Sequence, residues 1–284
     1  MSMNAFHRRS TRPVPAPAAA APHTPNAKKG LLRADRLLVE RGLAPSRTAA
    51  QRLIESGRVS SPHGLVRKAS ETFPGNIVLT VAADATDCHV SRGGLKLAGA
   101  LQASGLDASG WTCLDVGQST GGFSDCLLQA GAARVVGVDV GHGQLHPRLQ
   151  GEPRLLALEG INCRHLCRND LGMACPADGF DLIVADVSFI SLALILPQLP
   201  ALLAPAGQLL LLVKPQFELG PAALGKGGIV RDPARYAEVE ARFRQLAADL
   251  HLNVAGWFDS PITGGDGNHE FFLWAHHANT RTFD

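Results

Sequence analysis

The chain has 284 residues, of which 45% are hydrophobic and 5% aromatic, and its charged side chains sum to +2. That is room for one large domain beside a small one, and the longest apolar candidate for a membrane span, Leu192 to Ala204, is broken by Pro197, Gln198 and Pro200. Six cysteines in a chain this long do not suggest a secreted disulfide scaffold, so a cytoplasmic protein without stable membrane association is expected.

The small net charge conceals an asymmetry. Residues 1–30 carry five basic residues and no acid, and residues 31–80 carry seven Arg and one Lys against four acids, which leaves the rest of the chain at −7. A basic N-terminal third beside an acidic remainder points to a segment that binds a polyanion. Residues 1–29 are rich in Pro and Ala with no periodic apolar face, and a disordered basic tail is expected there. Arg8-Arg9-Ser10-Thr11-Arg12 faintly resembles an export signal, but the proline-broken segment behind it makes a poor hydrophobic region.

Residues 30–82 have the pattern of a small α+β domain. Ala34, Leu37, Leu38 and Arg41 share one helical face, which Gly42 stops; Ser46 is placed to cap a second helix whose buried stripe is Ala49, Ala50, Leu53 and Ile54, ended by Gly57. Arg58-Val59-Ser60 and Leu65-Val66 flank Pro62-His63-Gly64 as a hairpin, and Ile77 to Thr80 reads as a further strand. Arg36, Arg47 and Arg52 fall off the apolar stripes and are expected to be free to meet phosphates; Arg33, Arg58, Lys68 and, beyond this domain, Arg92 complete the candidate RNA contacts. The run Arg36 to Leu43, with Ser46-Arg47, Gln51 to Ile54 and Gly57-Arg58-Val59 behind it, resembles the S4-type RNA-binding domain.

Residues 83–110 are expected to form a linker and a helix carrying Lys96, which on its own reads as an ordinary surface lysine. From 111 to 278 strands alternate with helices, as in a doubly wound α/β sheet, and 279–284 form a short tail. Seven strands are expected near 111–116, 134–139, 154–158, 181–186, 208–213, 253–258 and 269–275, with helices near 122–131, 190–204 and 233–250. The stretch Asp115-Val116-Gly117-Gln118-Ser119-Thr120-Gly121-Gly122-Phe123 is a strand–glycine loop–helix unit without the Gly-x-Gly-x-x-Gly spacing of dinucleotide enzymes. Asp139, at the end of the next strand, can accept hydrogen bonds from both ribose hydroxyls of an adenosine. The loop fits S-adenosylmethionine; NAD or a purely structural turn stay open at this point.

Two further clusters carry less. Gly220 to Gly227 is one residue short of a P-loop, with Gly227 where Ser or Thr must hold magnesium, and is expected to be a mobile loop over a substrate. Cys163-Arg164-His165-Leu166-Cys167 has only Cys175 nearby to complete a ligand set, so it reads as an incidental helix and no metal is expected. Asp186 and Lys214 each end an apolar strand, where an unpaired charge is costly, and Glu270 precedes Phe271-Phe272-Leu273-Trp274.

These pieces together resemble the TlyA-type (haemolysin A) family, S4-fused FtsJ-like ribose methyltransferases. The motifs that carry the resemblance are Ser91 to Leu97, Asp115 to Phe123, Asp186 with Ser188 to Leu192, Val213 to Glu218, and Gly225 to Val230. The resemblance implies a Rossmann-like class I methyltransferase fold, S-adenosylmethionine as cofactor, and cytidine 2′-O-methylation of ribosomal RNA in ribosomal subunits. It also implies a catalytic set of Lys96, Asp186, Lys214 and Glu270, and reassigns Lys96 from the surface. Asp115, Gly117, Ser119, Thr120, Gly121, Gly122, Phe123, Asp139, Val140 and Asp186 are then the expected cofactor contacts. Gln118 departs from the family's smaller residue and is expected to narrow the cofactor cleft. A non-enzymatic RNA-binding factor, a membrane-active haemolysin and a small-molecule methyltransferase are the competing readings, and the oligomeric state is not readable.

Overall fold

The structure, a computed structural model, describes residues 30–44, 46–82 and 88–278, so the expectations for the tails 1–29 and 279–284 lie outside the described residues. The chain divides into two compact units, 1–83 and 84–284.

In the first unit β1 (Leu31–Arg33) leads into α1 (Ala34–Glu40), and α2 (Arg47–Glu55) begins where the Ser46 hydroxyl accepts from the Ala49 amide at 3.2 Å. The hairpin is present as β2 (Val59–Ser61) and β3 (Gly64–Leu65). A two-stranded ribbon of β1 with β4 (Thr72–Pro74) was not expected, and the strand expected at Ile77–Thr80 is found as β5 (Thr80–Val81), paired with β2. Strands of two or three residues carry too little alternation to be seen in sequence. Leu37, Leu38, Ile54, Val59, Val66 and Phe73 close a small core of their own.

The second unit opens with α3 (Arg92–Ser104), followed by β6 (Thr112–Val116), α4 (Gly122–Gln129), β7 (Arg134–Asp139), β8 (Leu155–Glu159), α5 (Arg168–Leu171) and β9 (Phe180–Ala185). Then come β10 (Leu203–Val213), α6 (Pro215–Glu218), α7 (Arg235–Asp249), β11 (Leu252–Asp259) and β12 (Phe271–His277). The seven strands lie in the order β11-β12-β10-β9-β6-β7-β8, parallel except for β12, which runs against both neighbours. Apolar side chains are buried on both faces: Leu114, Ile183, Leu209 and Phe243 on one, Leu97, Leu127, Leu182 and Phe272 on the other. Two covered faces explain why these strands read as continuous apolar runs.

One element differs in kind. Residues 190–204, expected as a helix, form three 3-10 turns at Leu192–Leu194, Leu196–Gln198 and Pro200–Leu202, and β10 starts at Leu203. Pro197 and Pro200 remove two amide donors and clash with the preceding turns, so an α-helix cannot propagate. The segment 163–167, expected as an incidental helix, is helical only as one 3-10 turn at Cys163–His165.

Candidate active site

The strand order turns between β6 and β9, the crevice where open α/β sheets bind ligands. Gly117 follows β6 with φ 81°, and a Cβ there would lie 2.9 Å from Val187 Cγ1 and 3.0 Å from the Asp186 carbonyl oxygen. Only glycine lets these two loops touch. Ser119 holds φ 48°, and its amide donates to Asp139 Oδ2 at 2.7 Å while Gly141 N donates to Oδ1 at 2.7 Å. Asp139 is thereby fixed at the end of β7, and each oxygen keeps a second lone pair.

Three adjoining cavities follow. The first, about 150 Å³, is walled by Asp115, Gly117, Gln118, Ser119, Thr120, Gly122, Phe123, Asp186 and Lys214. The second, about 490 Å³, has Asp139, Val140, Asn162, Cys163 and Ile195 on its walls and shares Gly117, Ser119, Asp186 and Ser188 with the first. The third, about 380 Å³, is lined by Phe189, Lys214, Gln216, Phe217, Gly227, Asp266 and Glu270. Every expected cofactor contact except Gly121 is on the walls of the first two cavities; Gly121 instead lies under Leu145 and Leu149. Phe189 stands 93% exposed at φ 64°, its ring 5.6 Å from that of Phe217.

The four expected catalytic side chains form two ion pairs, Lys96–Glu270 buried and Lys214–Asp186 partly buried. Lys214 Nζ is 2.6 Å from Asp186 Oδ1 and donates a directed hydrogen bond to Ser188 Oγ at 2.8 Å. Lys96, on α3, donates to Glu270 Oε2 at 2.5 Å. Its reading as a surface lysine is corrected: it is 7% exposed, held by an acid far along the chain. Buried charges require such partners. Lys214 and Glu270 both line the third cavity, and Lys214 also lines the first.

Supporting residues were less visible. Glu218 accepts from Ser191 Oγ at 2.5 Å and Leu192 N at 2.7 Å, pinning the loop after β9 to α6, and burial raises its carboxyl above the ordinary range. Ser188 and Asn268 went unassigned. Asn268 accepts from Val230 N at 3.0 Å and donates to Gly228 O at 3.1 Å, tying the loop of the third cavity to the segment before β12. Its signal was a lone polar residue beside a glycine cluster. Asp115 accepts at Oδ2 from Ser124 N at 2.9 Å and Ser124 Oγ at 2.7 Å; Oδ1 is buried with no partner among the described residues, and burial pushes its carboxyl up to about 7. Gln118, expected to narrow the cleft, lines the first cavity but is seated against Gly137. The Gly220–Gly227 segment forms no strand-to-helix turn, only 3-10 turns at Pro221–Ala223 and Lys226–Gly228. Among the described residues no three His, Cys, Asp or Glu side chains gather as a metal site.

The expectation that Arg36 and Arg47 are free is corrected as well. Arg36 pairs with Glu40 at 2.6 Å, and Arg47 with Asp35 at 2.8 Å. Arg33 also grips Asp35, Arg58 donates to the Ala82 carbonyl, and Arg92 to the Thr263 carbonyl. Arg52 and Lys68 are exposed.

Residues 89–277 match the family described as FtsJ-like methyltransferase, and residues 32–71 match the S4 domain. The chain belongs to the FtsJ-like methyltransferase family. Within it, the chain resembles the S4-fused TlyA and haemolysin A proteins. It is 43% identical to the 16S/23S rRNA (cytidine-2′-O)-methyltransferase TlyA of Mycobacterium tuberculosis, over 85% of this chain and 88% of that protein. It is 32% identical to Hemolysin A of Brachyspira hyodysenteriae, over 84% of this chain and 98% of the other. A solved structure bearing the hemolysin name, from Streptococcus thermophilus, superposes with a TM-score of 0.68 at 36% identity, covering 88% of this chain and 89% of that one. Among the described residues no helix of this FtsJ-like protein is long and apolar enough to cross a membrane.

Proposed function

We propose that this FtsJ-like enzyme transfers a methyl group from S-adenosylmethionine to a ribose 2′-hydroxyl of ribosomal RNA, on a cytidine, as in the names its relatives carry. The observation that carries the reading is the juxtaposition of two Lys–carboxylate pairs, one buried and one partly buried, at the wall between the cleft of Asp115 and Asp139 and the third cavity.

The residues fit this cofactor. It bears two cations, an ammonium and a sulfonium, and no phosphate. The first two cavities present three carboxylates, Asp115, Asp139 and Asp186, and one oxygen of Asp115 is buried without a partner among the described residues. A loop built for pyrophosphate would instead aim amides and cations at its ligand. Asp139 would hold the ribose hydroxyls, Val140 and Ile195 the adenine, and Asp115 the ammonium. When bound, S-adenosylmethionine supplies an electrophilic methyl group.

A 2′-hydroxyl is a weak nucleophile and loses its proton as it attacks. Lys214, at the border of cofactor cleft and third cavity, accepts that proton once neutral, or as an ammonium stabilises the alkoxide. Asp186 and Ser188 hold its Nζ in place. Glu270, held by Lys96, faces the third cavity and positions the ribose. The S4 module, with Arg52 and Lys68 exposed, engages RNA phosphates, and a ribosomal substrate places the reaction in the cytoplasm.

The test is methyl transfer from labelled cofactor to ribosomal subunits lacking the modification, followed by mapping of 2′-O-methylated nucleotides. Lys214→Ala is expected to lower turnover by about 10²- to 10⁴-fold with cofactor binding retained. Unchanged turnover would remove Lys214 from the chemistry, and wild-type protein that methylates no ribose would remove the function.

A further inference from the structure

Gln118 stands where the family pattern calls for a smaller residue; it lines the first cavity, yet it is only 6% exposed and its amide is seated against Gly137. Its side chain is lodged on Gly137, in the middle of β7. A Cβ at 137 would lie 2.0 Å from Gln118 Nε2 and 2.1 Å from Cδ, so the two positions are complementary in shape. Glycine inside a central strand weakens it and marks a place where another group comes close. In register, Gly137 sits beside Asp115 on the neighbouring strand.

From that seat Gln118 Nε2 donates to Ser124 Oγ at 2.8 Å, and Ser124 Oγ donates to Asp115 Oδ2 at 2.7 Å. The chain of hydrogen bonds turns one Asp115 oxygen inward and leaves Oδ1 without a protein partner among the described residues, at a cavity that Gln118 also lines. The serine hydroxyl has one proton to give. Because Gln118 donates to it, that proton goes to Asp115.

We infer that Gln118 and Gly137 form a matched pair that builds the amino-acid end of the methyl-donor site, Gly137 supplying the notch and Gln118, lodged there, orienting Asp115 through Ser124 toward a cationic ammonium. The inference rests on the methyl-donor reading of the cleft. Gln118 is a positioning residue, since it acts through Ser124 and Asp115. A side chain at 137 would expel Gln118 from its notch, and Gln118 itself lines the donor cavity.

The experiment is calorimetric binding of S-adenosylmethionine and S-adenosylhomocysteine to the full chain. Gly137→Ala is expected to weaken binding at least about 10-fold, because it both obstructs the cavity and breaks the relay, whereas Gln118→Ala loses only the relay and weakens it about 3-fold. The double variant is expected to bind like Gln118→Ala alone, which no general damage to the sheet would produce. Gln118→Met, which keeps the shape and drops the donor, should match Gln118→Ala in affinity while retaining wild-type Tm. In turnover assays these losses fall on the KM for the donor more than on kcat. Wild-type affinity in Gly137→Ala, or a double variant no better than Gly137→Ala, overturns the pair. If Gly137→Ala does not fold, the double variant decides: folded and binding, it supports the pair; unfolded, it shows that the sheet needs Gly137 for another reason. Absence of binding by the wild-type chain would instead bring down the methyl-donor reading.

Discussion

The N-terminal module and the donor cleft are each organised around a fully buried aspartate, and the two aspartates are opposite in character. Asp35 accepts from the Arg36 amide and from the guanidiniums of Arg33 and Arg47, and the two guanidiniums hold its carboxyl far below the usual range. Among the described residues Asp115 accepts hydrogen bonds from Ser124 alone, and burial lifts its carboxyl to about 7. Burial is common to both. The presence of a cation decides the sign of the shift. Asp35 is a finished structural hub that ties Arg33 of β1 and Arg47 of α2 to the first turn of α1. Asp115 meets no cation among the described residues, and under the proposed function the ammonium of the methyl donor would complete it.

The largest expected effect tests that incompleteness. Asp115→Ala should weaken binding of S-adenosylmethionine by about 30- to 100-fold, the worth of a charge-assisted contact in a dry site, while leaving RNA binding by the S4 module intact. Equal affinity in titration calorimetry would break the contrast, leaving Asp115 as a mere cap for α4. Next comes Asp35→Ala. Breaking a fully buried pair costs about 3–5 kcal/mol. Here Arg33 and Arg47 keep 44% and 59% of their side-chain surface in water, so solvent replaces part of what is lost. A destabilisation of about 2 kcal/mol, confined to residues 30–82 in hydrogen exchange, is expected. Exchange that also rises in the sheet of the second unit would contradict the division into two independent hubs.

Much of this arrangement could be seen in the sequence, because the signals were local. The Ser46 cap, Gly42, Gly57, the strand ends at Asp139 and Asp186 and the glycine loop all depend on neighbours within a few residues. What was hidden depends on distance or on competition. Lys96 looked like a surface residue because its acid, Glu270, is brought to it only by the packing of α3 near the start of β12. Arg36 and Arg47 looked free because a helical stripe shows which side chains leave the core and not which acid they meet. The segment 190–204 has helical apolar spacing, but its prolines overrule that spacing. The seat of Gln118 on Gly137 required knowing that β6 and β7 are neighbours in register, and no one-dimensional pattern contains that.

A smaller effect follows from pH. Asp115 is raised toward 7 in the fold, so its protonated form is favoured there: its contribution to stability is full below about pH 4 and fades as pH rises through 7. Asp35 is lowered, so its contribution is full above about pH 4 and fades only in stronger acid. The free enzyme's second unit should therefore lose stability between about pH 4 and 7, a range in which the module does not. Donor affinity should run the other way, rising about 10-fold from pH 6 to pH 8 as Asp115 ionises. Asp115→Asn should flatten both curves, and a slope that survives that substitution would assign the titration elsewhere.

The smallest expected effect marks the lower end of the same scale. Arg36 and Glu40 form an ion pair at 2.6 Å on α1, but their side chains remain 62% and 43% exposed. A pair one helical turn apart in water is worth at most about 0.5 kcal/mol, because both charges are almost as well solvated apart as together. Arg36→Ala should leave the Tm of the module within error. It should still reduce the salt slope of RNA binding by about 0.7, the counterion released by one phosphate contact on a single strand, if the guanidinium exchanges Glu40 for a phosphate. A change in Tm without a change in slope would show that Arg36 belongs to the structural hub with Arg33 and Arg47. A change in slope alone would place it with Arg52 and Lys68 on the RNA side. The geometry favours that second outcome, because the partner that holds Arg36 is itself exposed and gives it up at little cost.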